Sequence, residues 1–340
     1  MEEQKLLKKE ARWNISKVGF YYAFSYVIIL IVSALIGRIL TALGVKELDP
    51  NLELVIMSVV PMYLVAFPAI YIALKKTVPE VKPEKNKMTV GQYITTCITC
   101  IGLAYISNFI GLIITGIIGL VRGQMVDNTI LDVATNVSPL TVLIYMVIMA
   151  PIMEEFMFRK LIVDHTVQYS KAVAILLSGL MFGLFHANLN QFIYAFVIGC
   201  YFAFVYVKTG DIKITISMHM IFNFMGGFVA TNLLNELHID EYMEAATGSD
   251  PTAAFRVIME HPIPWIIYGF FFLYIIGMII AGFVLLIVGI VKGNYKLVED
   301  SPKALPKGNR ITTAIFNPGM LFYIGFFLLL ILLQLLGLAK

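Results

Sequence analysis

The sequence predicts an all-α fold: a polytopic membrane helical bundle of about nine transmembrane helices with a four-helix core. Three observations point there. Of the 340 residues, 59% are hydrophobic and only 14% charged, against roughly half and a quarter in a water-soluble domain. The apolar residues gather in runs long enough to cross a bilayer, which takes roughly 20 residues each. The runs are continuous rather than alternating apolar with polar, which argues against a closed β-barrel.

The runs place spans at about 18–44, 53–74, 91–121, 139–162, 172–187, 191–207, 212–235, 264–291 and 314–338. The first follows a basic stretch (Lys5, Lys8, Lys9, Arg12, Lys17) and is too long for the apolar part of a signal peptide. It therefore reads as an uncleaved first helix. The third holds Cys97 and Cys100 in a C-x-x-C arrangement. Inside a span these read as small buried residues, as does Cys200 in the sixth. Residues 1–138 supply helices one to three. Residues 139–235 form the expected catalytic core of helices four to seven. Residues 236–340 supply an acidic loop and the last two helices.

Lysine and arginine collect in alternate connections. Residues 75–88 hold Lys75, Lys76, Lys82, Lys85 and Lys87, and residues 292–310 hold Lys292, Lys296, Lys303, Lys307 and Arg310. Arg159, Lys160, Lys171, Lys208 and Lys213 add to the same side, whereas the opposite connections hold only Lys46, Arg122 and Arg256. The positive-inside rule then puts the N-terminus in the cytoplasm and the C-terminus outside. The 236–262 loop, with Glu236, Asp240, Glu241, Glu244, Asp250 and Glu260, falls outside as a solvated, partly helical cap. No internal repeat, phosphate-binding glycine loop or nucleic-acid patch is present.

The chemistry lies in three short signatures within the apolar runs. Ionisable groups at mid-membrane cost roughly 3 kcal/mol each on insertion scales, so each needs a partner or a use. On the fourth span, Pro151 precedes Glu154-Glu155-Phe156-Met157-Phe158-Arg159. A mid-helix proline removes a backbone hydrogen bond and tends to kink the helix. Glu155 and Arg159 are four apart and can pair on one face. Glu154 points about 100° away around the helix and is left free to accept a proton. The alternative is a single buried ion cluster that only fixes packing.

On the fifth span, Phe182 and His186 are four apart and share a face. The fourth and fifth spans form an antiparallel hairpin turning near Gln168–Ser170. Glu154 is fifteen residues before Tyr169 and His186 seventeen after it, so the two come out nearly level, on the order of 10 Å below the cytoplasmic surface. On the seventh span, His219 and Asn223 stand one turn apart at a similar depth. Such a pair can donate to an oxyanion, or simply make interhelical hydrogen bonds. Asn188, Asn190 and Gln191 mark a polar connection suited to lining a water-accessible cavity. His165, His238 and His261 fall in predicted loops and receive no role.

These motifs resemble those of the CAAX protease and bacteriocin-processing (CPBP or ABI) family of intramembrane glutamate proteases, related to type II CAAX prenyl endopeptidases. The family pattern is E-E-x-x-x-R, then F-x-x-x-H, then H-x-x-x-N, and the resemblance covers about residues 139–230. Lys160 stands where members often have glycine. The resemblance implies that Glu154, assisted by His186, activates water. It implies that His219 and Asn223 stabilise the oxyanion, with Glu155, Arg159 and Phe182 in support. It further implies peptide-bond hydrolysis without a covalent acyl-enzyme, a cofactor or a metal.

A zinc-dependent variant would instead use Glu154 and the two histidines as ligands. A non-catalytic membrane scaffold or bacteriocin-immunity protein would keep the motifs as polar clusters. A transporter is disfavoured by the lack of repeated halves. The expected partners are a membrane-anchored peptide or protein substrate and the lipid bilayer, with no nucleic acid.

Overall fold

The computed structural model describes residues 2–124, 126, 129–248, 250 and 252–338, and the side chains of 129–132 and of Asp240 in the acidic cap lie outside that description. All regular secondary structure among the described residues is helical. Eight helices are long and apolar enough to cross a membrane: α1 (Glu2–Ala42), α2 (Pro50–Thr77), α3 (Val90–Arg122), α5 (Pro139–Thr166), α7 (Leu189–Thr209), α8 (Ile212–Asn235), α11 (Pro262–Val291) and α13 (Pro318–Leu335). Between them lie α4 (Thr129–Asn136), α6 (Lys171–Phe185), α9 (Ile239–Thr247), α10 (Ala253–Glu260) and α12 (Arg310–Ile315). The expected fifth span is α6. At 15 residues it runs only about 22 Å, short of a 30 Å hydrocarbon layer.

The lysine-rich connections meet on one face of the bundle. Backbone N–H groups of Val81, Asn86 and Leu305 donate to the carbonyls of Asp164, Thr209 and Tyr169 at 2.7, 2.9 and 2.8 Å. Lys171 pairs with Asp300 at 2.7 Å, and Lys303 with Glu10 at 2.8 Å. Because Asp300 accepts from Lys171, its carboxyl is held below the usual carboxylate range. The opposite face carries α4, α9 and α10. The two last helices make up the partly helical cap expected over 236–262.

Proline sets the local geometry of the site-bearing helices. Pro61 and Pro151 lie in or next to π-helical stretches, Val55–Ala66 and Val142–Met149. A proline cannot donate to the carbonyl one turn back, and a wider turn is one way for a helix to absorb the gap. Two further π-helical stretches, Glu155–Leu161 and Phe224–Val229, flank the motifs on α5 and α8.

Helices α6 and α7 form a tight hairpin. Ala187 turns the chain in a left-handed conformation (φ 54°), and Asn188 caps α7 by accepting from the Gln191 N–H at 2.9 Å. Glycine permits the close approach of the two backbones. A Cβ on Gly183 would lie 2.9 Å from both the Phe192 carbonyl oxygen and the Phe196 nitrogen, and backbone atoms cannot swing away. Gly183 is one turn from His186, so this contact fixes the height of that imidazole. Gly183→Ala should lower stability by about 1–3 kcal/mol, the usual cost of overpacking. Thermal unfolding in detergent checks this, and an unchanged midpoint would show that the hairpin can open freely.

Candidate active site

The core of the site is a buried chain of charges between α5 and α8. Arg159 and Glu155 are both fully buried, with Arg159 Nε 3.1 Å from Glu155 Oε2. Glu155 Oε1 lies 2.9 Å from His219 Nδ1. His219 Nε2 in turn faces Glu154 Oε2 at 3.7 Å. One imidazole thus stands between the two glutamates. A Glu155 carboxylate accepting from Nδ1–H fixes the ring's orientation and aims Nε2 at Glu154.

Aromatic rings enclose this chain. The Arg159 guanidinium stacks over Phe182 at 4.3 Å and over Phe202 at 5.3 Å. Its two terminal nitrogens have no hydrogen-bond partner among the described residues, so the ring faces and Glu155 are its stabilising surroundings. Phe182 also lies 5.0 Å from the His186 ring and 5.9 Å from the His219 ring, edge-on to both. A single phenylalanine therefore touches the arginine and both histidines. Tyr22 of α1 and Ser178 of α6 donate to the Met157 and Phe158 carbonyls, tying this segment of α5 to its neighbours.

Asn223 has a specific local reason to be where it is. In the π-helical stretch the Ala150 N–H donates to the Tyr145 carbonyl. The next donor in that register would be residue 151, and proline has none. The Met146 carbonyl is thus left over, and Asn223 Nδ2 donates to it at 2.8 Å. Pro151 on α5 and Asn223 on α8 are complementary parts of one interhelical contact. Sequence reasoning had noted the proline only as a kink.

Glu154, His186, His219 and Asn223 all line one cavity of about 760 Å³. The Glu154 side chain is 17% exposed, against 0% for Glu155. Asn188, Asn190 and Gln191 line it as well, in keeping with the expected polar connection. The cavity is one-sided. Its lining on α5 runs from Tyr145 to Glu154, and on α8 from His219 to Thr231. Beyond Glu154 towards the lysine-rich face, Met157, Phe158 and Leu161 are buried and close it off. The open end points to the other face, beside α4.

Residues 136–225 match the family model described as type II CAAX prenyl endopeptidase Rce1-like. The segment that carries the three motifs is thus similar to this family. The matched segment holds all three motifs, from Glu154 to Asn223, and leaves α1–α3 and α11–α13 outside. The chain is also similar to the putative membrane peptidase YdiL of Bacillus subtilis (strain 168), with 34% identity over 124 residues. The match covers 34% of this chain and 50% of that protein, so the chain spans about half the length of the curated relative it matches. No solved structure matches.

The structure brings Glu154, His186, His219 and Asn223 to one cavity, which Phe182 also lines, with Glu155 and Arg159 buried behind it. It differs from expectation in one pairing: the imidazole beside Glu154 is that of His219, while His186 meets the cluster through Phe182. The stitch between Pro151 and Asn223 makes a sharp prediction. Asn223→Ala should cost about 1 kcal/mol by orphaning a part-buried carbonyl. In a Pro151→Ala background, residue 151 regains an N–H that can serve Met146, and the cost should largely vanish. Chemical unfolding of the four proteins in mixed micelles checks this, and additive effects would reject the stitch.

Proposed function

We propose that this chain is an intramembrane endopeptidase that hydrolyses a peptide bond in a membrane-associated or lipidated peptide or protein. The supporting observation is the convergence of Glu154, His186, His219 and Asn223, from three separate helices, on the wall of one otherwise mainly apolar cavity. A bundle that needed polar groups only for packing has no reason to leave one carboxylate at a cavity wall while burying its neighbour.

In this reading residues 139–235 are the catalytic core. Water sits between Glu154 and His186. Glu154 takes one proton as the water oxygen attacks the carbonyl carbon of the scissile bond. The resulting oxyanion is stabilised by donors on His219 Nε2 and on the second amide hydrogen of Asn223, the first being held by Met146. Glu154 then returns the proton to the leaving amine as the C–N bond breaks. Glu155, Arg159 and Phe182 hold this arrangement, the buried Glu155 and Arg159 from outside the cavity.

The positive-inside reading places the lysine-rich face in the cytoplasm, with the N-terminus inside and the C-terminus outside. The cavity then opens towards the outer half of the membrane, and substrate enters from that side. The packed Met157, Phe158 and Leu161 between the cavity and the lysine-rich face support this direction of entry.

A scaffold reading draws on one observation: Asn223, Glu155 and Arg159 all do packing work that a non-catalytic protein would also need. Cleavage assays separate the two. The purified protein, offered membrane-anchored and lipidated peptides, should cleave some of them. Glu154→Gln, His186→Ala and His219→Ala should each abolish cleavage while remaining folded. Activity should survive chelator. Loss on chelation would instead support the zinc-dependent variant, and full activity in Glu154→Gln would reject the assigned base.

A further inference from the structure

Outside the intramembrane cluster, the fold gathers three donors that the sequence scatters over 24 positions: His238, Glu241 and His261. One ligand atom from each lies within 4.8 Å of the others. The two imidazole rings stack at 4.2 Å with 19° between their planes, and His238 Nδ1 lies 3.8 Å from Glu241 Oε2. We propose that these residues form a site for a divalent transition-metal ion of the zinc type, which pins the outer hairpin to the head of α11.

The donor chemistry selects the class. Two imidazole nitrogens and one carboxylate oxygen, with water in the fourth position, suit zinc. Calcium and magnesium prefer all-oxygen shells. Tetrahedral ligands 2.0–2.1 Å from zinc stand roughly 3.3 Å apart, so the donors need to draw together by about 1.5 Å at most, and the stacked rings must turn so that their in-plane nitrogen lone pairs converge on the ion.

The backbone is set up to hold them. His238 immediately precedes α9 and His261 immediately precedes α11, positions where a side chain commonly caps the helix. Neither imidazole does so, and both remain available to an ion. Leu237 beside His238 is fully buried. Pro262 beside His261 starts α11, and Tyr242 of α9 packs on Trp265 of α11 at 4.9 Å. The ion would thus join elements already in contact. Thr231, at the rim of the catalytic cavity, lies seven residues before His238 on the same strand of chain. Binding would stiffen that rim.

The test uses full-length protein without an added histidine tag, stripped with chelator in detergent. It is titrated with Zn²⁺ by calorimetry and with Co²⁺ by visible absorption. One ion per chain, an intense tetrahedral Co²⁺ spectrum and a raised unfolding midpoint are expected. His238→Ala and His261→Ala should weaken binding by about tenfold or more, with metal-free unfolding midpoints close to the wild type because none of the three residues is buried. Glu154→Gln should bind normally. Absence of stoichiometric uptake, or uptake indifferent to both histidine variants, would overturn the proposal. Uptake lost in Glu154→Gln instead would also overturn it, by assigning the ion to the intramembrane cluster.

Discussion

The contact between Glu155 and His219 is the interaction on which the rest of the site depends. Glu155 is the only carboxylate of the cluster withdrawn completely from the cavity, and it faces Arg159 on one side and His219 on the other. Removing either neighbour would leave a buried carboxylate short of a partner, a change that typically costs about 3–5 kcal/mol. The pairing also does geometric work. It joins α5 to α8, and it turns one imidazole so that its second nitrogen meets Glu154. Phe182 completes the arrangement from α6, placing one ring against Arg159, His186 and His219. Three helices are thereby locked at one height by a handful of side chains.

Much of this was legible in the sequence because the membrane simplifies the signal. Long apolar runs can only be helices, and the nine expected runs all correspond to helices, with α6 the one too short to span by itself. The Glu155–Arg159 pair and the Phe182–His186 contact follow from the four-residue repeat of a helix. The hairpin turn near residue 169 follows from the polar break between two runs.

What the sequence did not reveal depends on contacts between helices or on departures from α-geometry. Helical periodicity says which face Asn223 occupies, but its partner is the Met146 carbonyl, left over by Pro151 and a π-helical register. Spacing placed Glu154 level with His186, yet the rotation of α8 brings His219 closer. The direction in which the cavity opens depends on where large side chains such as Met157 and Phe158 pack, and no local pattern encodes that. His238 and His261 looked like unrelated loop residues because 22 positions separate them in the sequence. The packing of the α9–α10 hairpin against the start of α11 makes them neighbours.

The central claim is that Glu155 aims His219 at Glu154, and a double-mutant cycle on unfolding in mixed micelles tests it most directly. Glu155→Gln, His219→Ala and the double variant are compared with the wild type. The account predicts a coupling energy of about 1–3 kcal/mol, as expected for buried groups in direct contact. Additive effects, with no coupling beyond experimental error, would contradict it.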